Sequence, residues 1–298
     1  MKERAWVPEG PLDVGLVLRP YRHGAGDPTW RRSHDGAVWR TSRTPDGPGT
    51  LCVRVHDTTV LARSWGPGAQ WLLDTLPALL GAADDRSGFT VHHPLVEAAA
   101  REFPGLCIGR TGRVMESLVP AVLEQKVVGQ EAFRAWRLLL RQYGEPAPGP
   151  APEGMRVVPE PEVWRRIPAW DWHRAGAEAV RARTIATAAW HAAKLEAAPT
   201  SAEADRLLRA LPGIGVWTSA EVRQRAFGDP DALSVGDFHL AKLVGYALTG
   251  QATDDAGMLR LLEPYRGHRH RAALLITLTG LRPPARGPRL AARDYRAF

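Results

Sequence analysis

The segment Leu211-Pro212-Gly213-Ile214-Gly215-Val216-Trp217-Thr218-Ser219 constrains this chain more than any other. It lies between two helical patterns, about 203–210 and 216–227. Two glycines flank one apolar residue, so the backbone can turn sharply with no Cβ in the way. The turn exposes backbone N–H groups at the start of the second helix, where the positive end of the helix dipole lies. That combination predicts an anion site that a phosphate can approach closely. Leu211 and Ile214 are predicted to pack the two helices together. A bare Gly-x-Gly is also an ordinary tight connection between helices; the full string in this place favours the anion site.

Some twenty residues further on stands Leu233-Ser234-Val235-Gly236-Asp237-Phe238-His239-Leu240. Leu240, Leu243, Val244 and Ala247 share a helical face, so Asp237 occupies the place of an N-cap. Taken by itself an aspartate there is a helix cap and nothing more.

The rest of the chain sorts into two zones. Residues 1–90 carry short β-prone runs, Leu16-Val17-Leu18, Ala37-Val38-Trp39-Arg40 and Leu51-Cys52-Val53-Arg54-Val55, separated by explicit turns such as His34-Asp35-Gly36 and Pro45-Asp46-Gly47. A helical turn or two is predicted over 71–77. This zone is expected to be a small α+β domain. Residues 91–285 are expected to be helical. Predicted helices open at Pro94 and run over 114–127, 130–143, 161–167, 178–195, 203–210, 216–227, 238–248, 255–264 and 269–279. Gly144 to Pro152 is a loop, since its prolines cannot be helical. Residues 286–298 form a basic tail. The expected fold class is mostly α, with a small α+β N-terminal domain before the helical region.

Composition narrows the partners. The net charge is +7 and most of the surplus is arginine, which fits a polyanion without proving one. Two distant cysteines, Cys52 and Cys107, cannot build a four-cysteine metal or iron–sulfur site. They are expected to be buried free thiols. The cluster Arg266 to Arg271 holds His268 and His270 among cations, which opposes metal binding and favours a solvated or phosphate-facing segment. No apolar run reaches the ~20 residues of a membrane span and no signal segment is visible, so a cytoplasmic protein is expected. No long apolar seam suggests assembly, so a monomer is expected.

In order and spacing these motifs resemble the helix-hairpin-helix DNA glycosylase superfamily, in particular the bacterial 3-methyladenine DNA glycosylase II branch. Gly213, Gly215, Thr218, Val235 and Asp237 fall on the family's hairpin and aspartate positions. Leu123-Glu124-Gln125-Lys126-Val127-Val128 resembles an upstream family turn, and Pro264-Tyr265-Arg266 a late one. Together they cover about residues 95–280. The resemblance implies that Leu211, Gly213, Ile214, Gly215 and Thr218 bind a DNA backbone. It implies that Asp237 is catalytic, and that Gln125, Lys126, Trp217 and Glu221 belong to a base pocket or a wedge. The implied partner is double-stranded DNA with a damaged base. No cofactor is required; a monovalent cation at the hairpin carbonyls is implied by the resemblance, and an iron–sulfur cluster is not.

The implied chemistry is cleavage of an N-glycosidic bond, which develops positive charge on the sugar. One fixed carboxylate beside that sugar can stabilise the charge and orient water. Family members that also cut the strand carry a lysine in the second hairpin helix as an amine nucleophile. Here that place holds Trp217, and 216–227 contains no lysine. The expectation is a glycosylase without strand cleavage, acting on an alkylated purine. Two departures bear on the base: Glu221 stands where the branch has a tyrosine, and Leu262 where it has a pocket tryptophan. A glycosylase for a deaminated or bulky base, and a non-catalytic hairpin protein that binds DNA, remain as alternatives.

Overall fold

Turn chemistry organises the first part of the chain. The computed structural model describes residues 1–284, and the basic tail 286–298 lies outside the described residues. Five strands form one antiparallel sheet: β1 Lys2–Trp6, β2 Trp30–Arg32, β3 Val38–Thr44, β4 Gly47–His56 and β5 Thr59–Trp65, in the order β1-β5-β4-β3-β2. Gly47, at φ +115°, closes the β3–β4 turn, where glycine alone escapes a Cβ clash. Val38, Leu51, Val53, Val60 and Ala62 are buried in one core with residues of α1 Val14–Leu18, α2 Ala69–Asp74 and α3 Leu76–Leu79. The run Leu16-Val17-Leu18, expected as a strand, is therefore helical. Its apolar residues carry no helical period; the cue is Asp13, whose Oδ1 accepts the Leu16 N–H at 2.9 Å as an N-cap.

The helical part encloses two separate cores. The first is built from α5 Val114–Leu123, α6 Gly129–Tyr143, α7 Pro161–Arg166, α8 Ala169–Ala175, α9 Ala179–Trp190, α10 Ala192–Glu196, α11 Ser201–Arg209 and α12 Val216–Ala226. The second is built from α4 Pro94–Glu102, α13 Leu240–Thr249, α14 Asp255–Leu262 and α15 Arg269–Leu278. The chain thus leaves the second core after α4, makes the whole of the first, and returns through residues 227–239. Arg40 and Ser42 of β3 hydrogen-bond Glu116 of α5, at 2.7 and 2.6 Å, and so brace the sheet against the first core.

Two predicted helices, and one loop, differ from expectation. The predicted helix over 178–195 is two helices that break at His191, preceded by α8, which begins after Pro168. The predicted helix over 114–127 stops at Leu123. The loop 144–152 is pinned at its start by β6 Glu145–Pro146 pairing with β7 Arg156–Val157.

The basic cluster 266–271 is neither free nor solvated throughout. Arg266 pairs with Glu263, Arg269 with Asp231, and Arg271 with Asp84 in a buried pair. Cys52 and Cys107 are free, Cys52 buried and Cys107 half-buried. No helix among the described residues is long and apolar enough to cross a membrane, and no cluster of metal-ligating side chains occurs among them.

Candidate active site

The site lies where the two helical cores meet. The first core supplies the hairpin between α11 and α12; the second supplies the loop before α13.

The two hairpin glycines serve different ends. Gly213 has φ +85°, and a Cβ there would lie 2.3 Å from Thr184 Oγ1 of α9, so both backbone and packing demand glycine. Gly215 has φ −96°, and a Cβ there would meet nothing within 4 Å. Nothing inside the protein requires glycine at 215; its bareness keeps the outer approach to α12 clear. The first intrahelical bond of α12 runs from Ser219 N–H to Gly215 C=O at 3.0 Å. No side chain caps the N–H groups before it, so this helix start is open to an anion. Ile214 is buried and Leu211 half-buried against the first core, so both brace the turn rather than face outward. Thr218 is buried, and its hydroxyl faces inward.

Gln125 belongs to the hairpin. Its Nε2 donates to Gly213 C=O at 2.9 Å and to Thr218 Oγ1 at 2.8 Å. A side chain held in this way is not free to fill a gap in DNA, which corrects the expectation of Gln125 as a wedge. The neighbouring Lys126 stands exposed at the tip of the loop between α5 and α6 with φ +55°. A left-handed lysine is costly, and the surrounding turn must hold it. Arg181, buried on α9, helps by donating from Nη1 to Leu123 C=O at 3.0 Å. The monovalent cation implied by resemblance would need hairpin carbonyls. Leu211 C=O takes the Ile214 N–H and Gly213 C=O takes Gln125, and each keeps a second lone pair.

Asp237 holds the turn that leads into α13, whose N-cap is His239, and faces α12 at once. Its Oδ1 accepts the N–H groups of His239 and Leu240, both at 2.8 Å. Its Oδ2 receives the Trp217 indole N–H at 3.3 Å. Gly236, at φ +91°, supplies the reversal that presents the carboxylate, and its N–H is held by Asp255 Oδ1 at 3.2 Å. The side chain is half-buried. The N-cap of α13 thus falls at His239, two residues after the expected position, and Asp237 braces the turn before it.

Behind Trp217, Glu221 is fully engaged. Its Oε1 accepts from Ser234 Oγ at 2.5 Å and its Oε2 from Arg225 Nη1 at 2.7 Å. Arg225 Nε in turn reaches Pro20 C=O at 3.0 Å, tying α12 to the N-terminal domain. Glu221 is thus one end of a structural ion pair, not a free carboxylate aimed at a base. Leu262 is fully buried in the second core, so its place is not a pocket wall.

A cavity of about 270 Å³ opens beside this pair, between α1, α12 and α15. Leu16, Val17, Leu106, Ile108, Leu274 and Leu278 make it largely apolar, and Tyr21, Gln224, Arg225 and His270 add polar atoms. Burial pushes the Tyr21 phenol up to about 12, against the pull of Arg40 and Arg225. Burial, then Arg225, pushes His270 down to about 3, so its imidazole is neutral near pH 7. Trp217, Glu221, Gln224 and Arg225 follow helical spacing along one face of α12, linking Asp237 to this cavity. Ser234, Gln224, Arg225 and His270 were not foreseen as site residues. The Glu221–Arg225 spacing of four was the one visible signal.

The known proteins share this architecture. A 3-methyladenine DNA glycosylase from Archaeoglobus fulgidus superposes over 93% of this chain and 97% of its own, with TM-score 0.74 and 14% identity. This chain has the helix-hairpin-helix DNA glycosylase fold. An 8-oxoguanine glycosylase/lyase from Clostridium acetobutylicum also has this glycosylase fold, over 93% of this chain and 96% of its own, with TM-score 0.69 and 11% identity. In sequence, a probable bifunctional transcriptional activator/DNA repair enzyme AlkA of Mycobacterium tuberculosis is 32% identical over 226 residues, which is 69% of this chain and 43% of that protein. The chain therefore spans less than half the length of the curated relatives it matches. No family model matches the chain.

Proposed function

We propose that this chain is a DNA glycosylase of base excision repair. It releases an alkylated purine from duplex DNA by hydrolysis and does not cleave the strand. The observation that carries the reading is Asp237, a carboxylate fixed by two backbone donors and a helix start, one oxygen turned toward the hairpin helix. The start of α12 grips a phosphate of the damaged strand, and Lys126 at the exposed tip of the α5–α6 loop takes the place of the extruded nucleotide. Asp237 then stabilises the positive charge that grows on the sugar as the C1′–N bond breaks. The bonding electrons leave with the base. A water oxygen bonds to C1′ and gives up its proton, leaving an abasic site and a free base. The relative and the Archaeoglobus fulgidus enzyme, named for repair and for 3-methyladenine, support alkylated purines as the substrate class.

The absence of strand cleavage rests on amines. The chain has four lysines, Lys2, Lys126, Lys194 and Lys242, and Trp217 occupies the position beside Asp237 where a nucleophilic lysine would act.

A second reading is a DNA-binding protein without turnover. It is favoured by the turn before α13 that Asp237 braces, which gives the residue a structural reason to exist. Incubation with duplexes carrying single alkylated purines separates the two. The glycosylase reading expects free base and an alkali-labile site from the wild type, neither from Asp237→Asn, and no borohydride-trapped adduct. Equal release by Asp237→Asn overturns the mechanism; binding with no release from any lesion leaves the second reading; a trapped adduct overturns the hydrolytic course.

A further inference from the structure

Helix α9 joins the hairpin to a second surface. Its Thr184 backs Gly213, and its Arg181 holds the end of α5 below Lys126. The outward side of the same helix carries Val180, Arg183, Thr187 and Trp190, at spacings of three and four, and therefore in one row. Val180 is 52% exposed and Trp190 67% exposed. Arg183 is exposed and has no ion-pair partner among the described residues. At the far end of the row an open groove lies between α7 and α9, lined by Glu162, Arg165, Arg166, Thr187, Trp190 and His191. Arg165 Cζ sits 3.8 Å from the centroid of the Trp190 ring, so a guanidinium covers one face of the indole. Glu162 pairs with both Arg165 and Arg166. With Arg183, the surface offers three guanidiniums against one carboxylate.

An indole this exposed does no work in a core. Held beside arginines, it matches the two components of a nucleic-acid strand: anionic phosphates, and apolar sugar or base faces. The row is also continuous with the hairpin. From Thr184 to Trp190 the helix rises about 9 Å, roughly the axial length of three nucleotides in one strand.

We infer that this row is a second DNA contact. The strand held by the hairpin continues over α9, with Arg183 and Arg166 at phosphates and Trp190 against the sugar face between them. The inference rests on the DNA-binding reading of the hairpin given above.

Binding is measured against salt concentration with two duplexes, a short one that ends at the flanks of the lesion and a longer one extended on both sides. The double variant Arg166→Ala/Arg183→Ala is expected to lower the salt dependence of log K by about two on the long duplex, and to leave the short duplex unchanged. Trp190→Ala is expected to weaken the long duplex several-fold and the short one not at all. Equal losses on both duplexes, or no loss on either, overturn the inference. Gly215→Asp, which places a carboxylate on the hairpin, is expected to weaken both duplexes. If that variant binds as the wild type does, the hairpin reading fails; if it fails to bind while the α9 variants bind normally, the second contact alone is wrong.

Discussion

The Trp217 indole N–H lies 3.3 Å from Asp237 Oδ2, and this contact joins the two helical cores at the point where the hairpin helix begins. The other oxygen of Asp237 is committed to α13. One oxygen thus fixes the carboxylate, and the other is available to a reacting sugar. Asp237→Asn separates the two tasks, because an asparagine oxygen accepts backbone N–H groups about as well as a carboxylate. The thermal midpoint is expected to stay near the wild-type value, while base release falls by about 100-fold or more. A large loss of stability in this variant would mean that the charge itself holds the two cores together.

Trp217→Phe keeps an aromatic ring beside the hairpin and removes the indole donor. Asp237 keeps both backbone donors, so its place is held and only the orientation of Oδ2 is loosened. The single-turnover release rate is expected to fall several-fold with DNA affinity unchanged. Weakened binding with an unchanged rate would assign Trp217 to DNA contact instead.

The legible and illegible parts of this molecule differ in range. The hairpin could be placed from sequence because Gly213 and Gly215 punctuate two amphipathic patterns, and because the helix after Asp237 has a clear apolar face. These are local signals. The strand expected at Leu16 was a helix because three apolar residues in a row have no period, and Asp13 alone marked the start. The break at His191 had no Gly or Pro to announce it. The cluster at 266–271 read as free charge because its partners, Asp84 and Asp231, come from distant parts of the chain. Glu221 and Gln125 look like free pocket or wedge side chains in the sequence for the same reason: Ser234 and the hairpin carbonyl that hold them are brought close only by tertiary folding. Leu262 stands at a pocket position by resemblance to the family, yet its helix turns it into the second core.

Gln125 is expected to act on stability and DNA binding together. Gln125→Ala removes the donor to Gly213 C=O and leaves the buried Thr218 hydroxyl without it, at a cost of about 1–3 kcal/mol. The loss should appear as a lower thermal midpoint. It should also appear as weaker binding of undamaged duplex, since the hairpin turn loses its brace. Gln125→Glu sets a carboxylate against the Gly213 C=O, which cannot donate, and only the Thr218 hydroxyl can turn to serve it, so both measurements should fall below wild type. A glutamate variant as stable as wild type would show that the amide contacts do not hold the turn.

His270 sets an acid limit on the fold. In the unfolded chain its imidazole titrates near the usual 6.5, whereas burial in the cavity beside Arg225 pushes it down to about 3. Between those values the unfolded state binds a proton that the folded state refuses. The contribution of neutral His270 is therefore fully present above about pH 6.5 and is lost progressively as pH falls toward 3, with a slope of at most about 1.4 kcal/mol per pH unit. Carboxylates paired in the fold, such as Asp229 and Asp231, are also held low and add to the fall at more acid pH. Between pH 6.5 and 5 two imidazoles contribute, His270 and His268, which burial also holds low. Denaturant unfolding across that window should show His270→Leu, which fills the apolar cavity without a titrating group, losing clearly less stability than the wild type. Parallel slopes for the two proteins would place the imidazole in contact with water and outside the cavity.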